Sequence, residues 1–288
     1  MILKNYLKNY IIPRIKYLYK LSTTNEDKFV LTFRLILLAF ILLFFRKKNY
    51  IFSGRFGKEK FKLYLDITKK KHGSRGYYLL REKQEPILQF GHKLFKEGDV
   101  VIDGGANQGV FSLSFKSKIK EAGQIICVEP FNYAVKKIKK NFLLNNFKNF
   151  LIYKNVLSDK ISYYKIYYSD GITDASIINR NSDNYKMVKS ITIDHIVKKN
   201  KLKKLDFIKL DIEGAEYLAL KGANKSILKF KPIIYLEINN LNNFKNINSF
   251  LNKINYYPYT FKSNGRLLKL KKYEKKNILY INKNYKYW

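Results

Sequence analysis

The run Gly98-Asp99-Val100-Val101-Ile102-Asp103-Gly104-Gly105-Ala106-Asn107-Gln108-Gly109 constrains this chain more than any other stretch. Apolar residues form a buried strand, Asp103 ends it, and a glycine-rich turn opens a helix. Glycines allow a tight turn and let the backbone approach a ligand closely. The free N–H groups of a helix start suit a polar or anionic ligand end. A second acid, Glu129, ends the next apolar run 26 residues after Asp103. In doubly wound sheets a carboxylate there can accept both hydroxyls of a ribose. Turn and acid together predict a nucleoside cofactor.

The order Gly104-Gly105-x-x-x-Gly109 departs from the G-x-G-x-x-G spacing that receives a pyrophosphate. A carboxylate at Asp103 would oppose a pyrophosphate but attract an ammonium. S-adenosylmethionine fits this arrangement, with its ribose on Glu129 and its amino-acid end near Asp103.

Short apolar strands alternate with helical stretches from Asp99 onward. Residues 100–102, 125–128, Phe150–Tyr153, Phe207–Leu210 and Ile233–Ile238 are strand candidates. Between them Phe111, Phe115 and Ile119, then Val135, Ile138 and Phe142, recur at three and four residues. This alternation predicts an α/β fold, a mostly parallel sheet covered by helices on both faces. Asn264-Gly265 separates two strand-like runs, a hairpin signal. Upstream, Phe61, Leu63, Leu65 and Ile67 alternate with polar residues as in a half-buried strand. A helix is expected over 77–95, interrupted by Pro86.

The 288 residues suffice for one large α/β domain with an extension, and 46% hydrophobic content supplies its core. The single cysteine, Cys127, excludes a disulfide framework and a cysteine-based metal cluster. It lies within an expected strand and reads as a small hydrophobe. The net charge is +35, from 57 Lys and Arg against 22 Asp and Glu. Such a balance suits an anionic partner. However, 49 of those bases are lysines scattered along a chain rich in Asn, Ile and Tyr, a bias that AT-rich codons also produce. Arginine, the better bidentate phosphate reader, is scarce.

Residues 1–50 form a separate basic and apolar extension, with ten bases, two acids and eleven uncharged residues in a row at 35–45. The apolar run is short for a membrane span. A surface anchor with basic flanks, a tilted span, or a helix packed on the core or a second subunit are the open readings. Residues 51–288 are expected to form the main domain, with its motif core at about 98–240. The expected location is the cytoplasm, with peripheral membrane contact possible through residues 1–50; the oligomeric state is not specified.

The 99–109 block, Val128-Glu129-Pro130-Phe131, and Asp206-Phe207-Ile208-Lys209-Leu210-Asp211-Ile212-Glu213-Gly214-Ala215-Glu216 resemble the FkbM-type methyltransferases. Thr192-Ile193-Asp194 and Leu220-Lys221-Gly222-Ala223 add to the likeness, which covers roughly residues 75–285. It implies a Rossmann-like class I methyltransferase sheet, an antiparallel C-terminal hairpin, S-adenosylmethionine as cofactor and methylation of a sugar or natural-product hydroxyl. Gly105 stands where an isoleucine, valine or alanine is more usual.

Carried onto this sequence, the resemblance places Asp103, Gly104, Gly105, Ala106, Asn107 and Gly109 on the cofactor turn. Glu129 would hold the ribose, with Pro130 and Phe131 beside it. Ser158 and Asp159 are candidates for the adenine amino group, or a solvated turn. Glu82 is a candidate for the amino-acid end, or an exposed salt-bridge partner. Asp211 should end the fourth strand on the ligand side, with Glu213 and Glu216 following and Glu237 near the end of the fifth. Asp211, Glu213 and Glu237 are the catalytic candidates. Their oxygens could form a base dyad or hold Mg²⁺; the dyad is the favoured reading and no metal ligand is assigned. His195 reads as a capping or packing residue, and His72 and His92 as surface.

The leading expectation is an O-methyltransferase acting on the hydroxyl of a small-molecule or glycan acceptor, above all a sugar in a surface glycan or glycolipid. An RNA methyltransferase is the first alternative and predicts a basic face around the cofactor mouth. An NAD-dependent oxidoreductase is the second. Nucleic acid is the disfavoured partner.

Overall fold

The computed structural model describes residues 25–44, 49–66, 74–168, 175–178, 184–273 and 276–285. His72, the lysines of residues 1–24 and Arg46 to Lys48 lie outside them.

The main body is a mixed α/β structure built on an eight-stranded sheet of order β12-β11-β13-β10-β9-β3-β4-β5. Its centre is parallel: β3 (Val100–Gly104), β4 (Gln124–Val128), β5 (Phe150–Tyr153), β9 (Phe207–Leu210) and β10 (Ile233–Ile238). These strands are nearly continuous apolar runs because both faces are covered. Val101, Ile125, Cys127 and Phe207 enter one core, whereas Ile102, Ile126, Val128 and Ile208 enter the other. The period of two thus divides each strand between two layers.

The C-terminal part is antiparallel. β13 (Lys276–Asn282) inserts between β10 and β11 (Tyr256–Phe261), and β12 (Leu267–Lys269) pairs with β11 at the edge. The expected Asn264-Gly265 turn joins β11 to β12, with Gly265 at a φ of +79°. The connection out of β3 leads to β4 on one side, and that out of β9 leads to β10 on the other. Strand order therefore reverses between β3 and β9, and the crevice at their carboxyl ends is where such sheets bind ligands.

The hairpin of β1 (Asn49–Phe56) and β2 (Glu59–Asp66) covers one face. It is fastened to the helix Asn132–Leu144, where Asn141 Oδ1 accepts the Tyr64 N–H at 2.6 Å. The helix expected over 77–95 is broken into α2 (Ser74–Leu80), a 3₁₀ turn, the short helix Pro86–Phe90 and a second 3₁₀ turn. Pro86 starts a helix rather than interrupting one, since its missing N–H costs nothing at the first position. His92, expected at the surface, is half-buried and packs edge-on to Phe56, with ring centroids 6.1 Å apart.

Within the extension, α1 (Asn25–Phe44) packs against α2. Leu31, Leu38 and Ile41 enter the core, and Arg34 donates to the Leu79 carbonyl at 2.9 Å. Among the described residues no helix is long and apolar enough to cross a membrane.

A small sheet, β6 (Val156–Leu157), β8 (Tyr185–Ile191) and β7 (Tyr163–Tyr167), stands beside the crevice. Alternating apolar residues such as Ile166 and Val188 form its own small cluster.

Candidate active site

The crevice at the switch point opens as two chambers that share Gly105, Asn107 and Asp211. The first, about 690 Å³, lies between Glu129, Pro130 and Phe131 on one side and Val156, Leu157 and Ile166 on the other. The second, about 770 Å³, is lined by Tyr77, Glu85, Lys209, Tyr235, Glu237 and Asn277 among others.

Glu129 ends β4 with both oxygens tied to backbone. Its Oε2 accepts the Asn107 N–H at 2.9 Å and its Oε1 the Phe131 N–H at 3.0 Å. Burial pushes its carboxyl up to about 7 despite these bonds. The carboxylate is thus held in one orientation at the rim of the first chamber. Asn107 adopts a φ of +49° and lines both chambers, and its Oδ1 is buried with no partner among the described residues.

Gly105 is the floor shared by the chambers. Its φ is +71°, and a Cβ there would lie 1.9 Å from the Asp211 carbonyl oxygen. The residue types more usual at this position cannot stand here, which accounts for the departure. Gly109 caps the following helix, Val110–Ile119, at a φ of +82°. Ala106 lines the second chamber, whereas Gly104 packs beneath the turn against Leu157 and Leu210.

Asp103 does not face a ligand. It is fully buried and pairs in register with Lys209 on β9, whose Nζ lies 3.1 Å from Oδ1; Ser112 Oγ donates to Oδ2 at 2.5 Å. The carboxylate expected to attract an ammonium is thus engaged by Lys209 and Ser112 and lines neither chamber. Lys209 also donates to the Gly105 carbonyl at 3.2 Å and lies 3.5 Å from Asp211 Oδ2. Burial opposes its charge, but Asp103 and Asp211 outweigh that and hold it above the usual lysine range.

Asp211, Glu213 and Glu237 do converge, with one carboxylate oxygen from each within 4.8 Å of the others. Glu237 is pushed up to about 9, first by its hydrogen bond with Asp211 and then by burial. Burial works against the Asp211 charge, yet Lys209 and the bond from Glu237 keep it below the usual range. Asp211 and Glu237 are therefore an ionised acceptor and a neutral donor side by side.

Other candidates fall outside the cleft. Ser158 and Asp159 line neither chamber: the Ser158 hydroxyl lies 3.1 Å from both Asp159 Oδ1 and the Tyr164 hydroxyl, and Asp159 pairs with Lys221 at 3.0 Å. They fasten the end of β6 to the helix Glu216–Lys221, and Leu157 takes the place at the cleft wall. Glu216 is buried and accepts the Ile212 and Gly214 N–H groups, which shapes the loop beneath Glu213. Glu82 also lines neither chamber. In its place stands Glu85, with Asn277 Nδ2 donating to it at 2.5 Å and burial raising it to about 7. His195 is exposed at a helix start capped by Thr192, as expected. Cys127 is buried against Ser112.

A family model described as the methyltransferase FkbM domain matches residues 103–259, more than half of the chain. The chain belongs to the FkbM methyltransferase family. Similar solved structures include the FkbM methyltransferase of Methylobacillus flagellatus, at 16% identity and a TM-score of 0.45, covering 71% of this chain and 52% of that one. This chain thus spans about half the length of that protein. Fibrillarin of Aeropyrum pernix with natively bound S-adenosyl-L-methionine matches at 10% identity and a TM-score of 0.43, over 83% of this chain and 86% of that one. An S-adenosylmethionine-dependent O-methyltransferase of Thermotoga maritima matches at 11% identity and 0.39, over 83% and 79%. No protein with a curated description matches.

The FkbM segment supplies the turn, Glu129, Lys209, Asp211, Glu213 and Glu237, but it does not close the second chamber. Tyr77 and Glu85 come from before it and Asn277 from after it. Sequence reading missed these three, since each sits in a stretch whose local pattern is ordinary helix or strand. The Asp206-to-Glu216 block did carry a signal for Lys209: a lysine inside a four-residue buried strand requires a buried acid beside it.

Proposed function

We propose that this chain is an S-adenosylmethionine-dependent O-methyltransferase whose acceptor is a neutral polyhydroxyl compound, a sugar of a glycan or glycolipid. The observation that carries the cofactor reading is Glu129. Its two oxygens are fixed by the N–H groups of Asn107 and Phe131 at the mouth of a chamber floored by Gly105. A carboxylate so held presents its remaining lone pairs to the two hydroxyls of a ribose, and Phe131 and Leu157 offer apolar contact to a base. The orphaned Asn107 Oδ1 and the bare Gly105 backbone mark where the rest of the molecule would lie. The residues present fit the cofactor.

Bound there, S-adenosylmethionine would supply an electrophilic methyl group. The chain's own residues do the rest. Asp211, kept ionised by Lys209, accepts the proton of the acceptor hydroxyl. Glu237, neutral up to about pH 9, donates a hydrogen bond that fixes the Asp211 carboxylate. Tyr77, Tyr235 and Phe111 line the chamber and exclude water, and alignment of the reacting atoms accounts for much of the acceleration.

The acceptor reading follows from charge. Lys209 is the single cation among the described residues lining the two chambers, and Asp103 and Asp211 engage it. Asp211 and Glu213 bring negative charge to the cleft, and Lys209 is already engaged. A phosphodiester would be repelled there, which weighs against RNA, and a pyrophosphate would be too, which weighs against NAD. The experiment is transfer of labelled methyl from S-adenosylmethionine to neutral oligosaccharides, glycolipids and RNA in parallel. Incorporation into an alkali-stable ether on sugar supports the reading; incorporation into RNA alone contradicts it.

A further inference from the structure

α1 carries two apolar faces and the fold covers one of them. Leu31, Leu38 and Ile41 enter the core, and Arg34 is fastened to the Leu79 carbonyl. On the other side Phe29, Phe33, Ile36, Leu37 and Phe40 recur at helical spacing and are 74%, 61%, 65%, 39% and 49% exposed. A contiguous stripe of five large apolar side chains is a site of interaction rather than ordinary surface.

We propose that this outer face of α1 lies on an anionic lipid surface and so presents the cleft to lipid-carried acceptors. Charge decides the occupant. The first fifty residues hold ten bases and two acids, and Arg46-Lys47-Lys48 follows the helix directly in sequence. Lysines and arginines beside an apolar helix are drawn to an anionic surface. A second copy of the chain would bring another +35 of charge against the same face.

The helix lies on the bilayer and does not cross it. Crossing would strip Leu31, Leu38 and Ile41 from the core and break the Arg34 bond. Lying flat leaves them in place and buries only the outer stripe, the geometry of interfacial helices. α2, on which α1 packs, contributes Tyr77 to the second chamber, so the contact and the acceptor end of the cleft belong to one body. The acceptor clause rests on the methyltransferase reading; the lipid contact does not.

The test is flotation of the full chain with vesicles of phosphatidylcholine alone or mixed with phosphatidylglycerol, at low and high salt. The account expects flotation with the anionic vesicles, weakened by salt, and a loss of about tenfold or more in partitioning for the Phe33→Ser, Ile36→Ser, Phe40→Ser triple variant. Unchanged affinity of the triple variant for S-adenosylhomocysteine shows that it is folded. Should it not fold, Ile36→Cys with a polarity-sensitive dye serves, since Cys127 is buried, and the dye should shift to the blue on anionic vesicles.

Absence of flotation, or of the dye shift, overturns the proposal. So does equal, salt-independent binding to neutral vesicles, and so does a dimer that the triple variant dissolves. Flotation without any adenosylhomocysteine binding would leave the lipid contact standing and remove the methyltransferase reading alone.

Discussion

The carbonyl oxygen of Asp211 occupies the space next to Gly105 that any side chain would need, 1.9 Å from the position of its Cβ. The turn after β3 and the acid after β9 are thus packed backbone to backbone, and the two chambers meet at that contact. Gly105→Ala meets both this clash and a φ of +71°. Strain at a positive φ alone costs of order 1 to 3 kcal/mol. The variant should show a lower Tm and at least about tenfold weaker binding of S-adenosylhomocysteine by calorimetry. Wild-type affinity would mean that the turn is not part of the cofactor site.

Lys209 and Asp103 form a buried ion pair at 3.1 Å. Removing one partner of such a pair costs about 3 to 5 kcal/mol, because the other is left charged and unpaired. Lys209→Met should therefore be strongly destabilised in urea, whereas Lys209→Met with Asp103→Asn should recover much of the loss. Equal stability of the single and double variants would mean that the pair is not coupled.

Glu129 titrates near 7, well above the ordinary 4.5, because it is buried. Its raised value makes the folded protein bind a proton more readily than the unfolded chain. That stabilisation is complete below about pH 4.5 and is lost as pH rises through about 7. Glu129→Gln should flatten this part of the stability profile of the free protein. Ligand affinity runs the other way, since the ribose needs the carboxylate. Affinity for S-adenosylhomocysteine should fall below pH 7, by up to about tenfold per unit, and Glu129→Gln should bind weakly at every pH.

Asp211→Asn should retain cofactor binding and lose turnover, by roughly 10² or more if it is the base. Turnover of the wild type should decline on the alkaline side near pH 9, where Glu237 loses its proton. Glu237→Gln, which keeps a donor, should hold its rate through that range. Addition of EDTA should leave turnover unchanged, because the base reading rests on Asp211 and its Glu237 donor.

Much of this was legible because strand ends and glycine turns are local. Apolar runs bounded by Asp103, Glu129 and Asp211 located three central strands, and the Gly105 turn and Glu129 emerged where the pattern placed them. The Lys209 partner of Asp103 was not legible because a single chain position does not reveal its register partner. Only the pairing of β3 with β9 sets Lys209 against it. Ser158 and Asp159 looked like rim residues for the same reason, and Lys221 claims Asp159 from a distant helix. Glu85 and Asn277 are 192 positions apart, and their contact is created by β13 inserting beside β10. The small sheet of β6, β7 and β8 also went unread, since its strands are short and largely polar.

The central claim is that the cleft between Glu129 and Asp211 holds S-adenosylmethionine. Calorimetric titration of the full chain with S-adenosylhomocysteine, with NAD⁺ alongside and Glu129→Ala as control, tests it most directly. The account predicts saturable binding of S-adenosylhomocysteine, weakened at least about tenfold by Glu129→Ala, and no binding of NAD⁺. A folded protein that takes up NAD⁺ and not S-adenosylhomocysteine, or binds the latter equally well without Glu129, would contradict it.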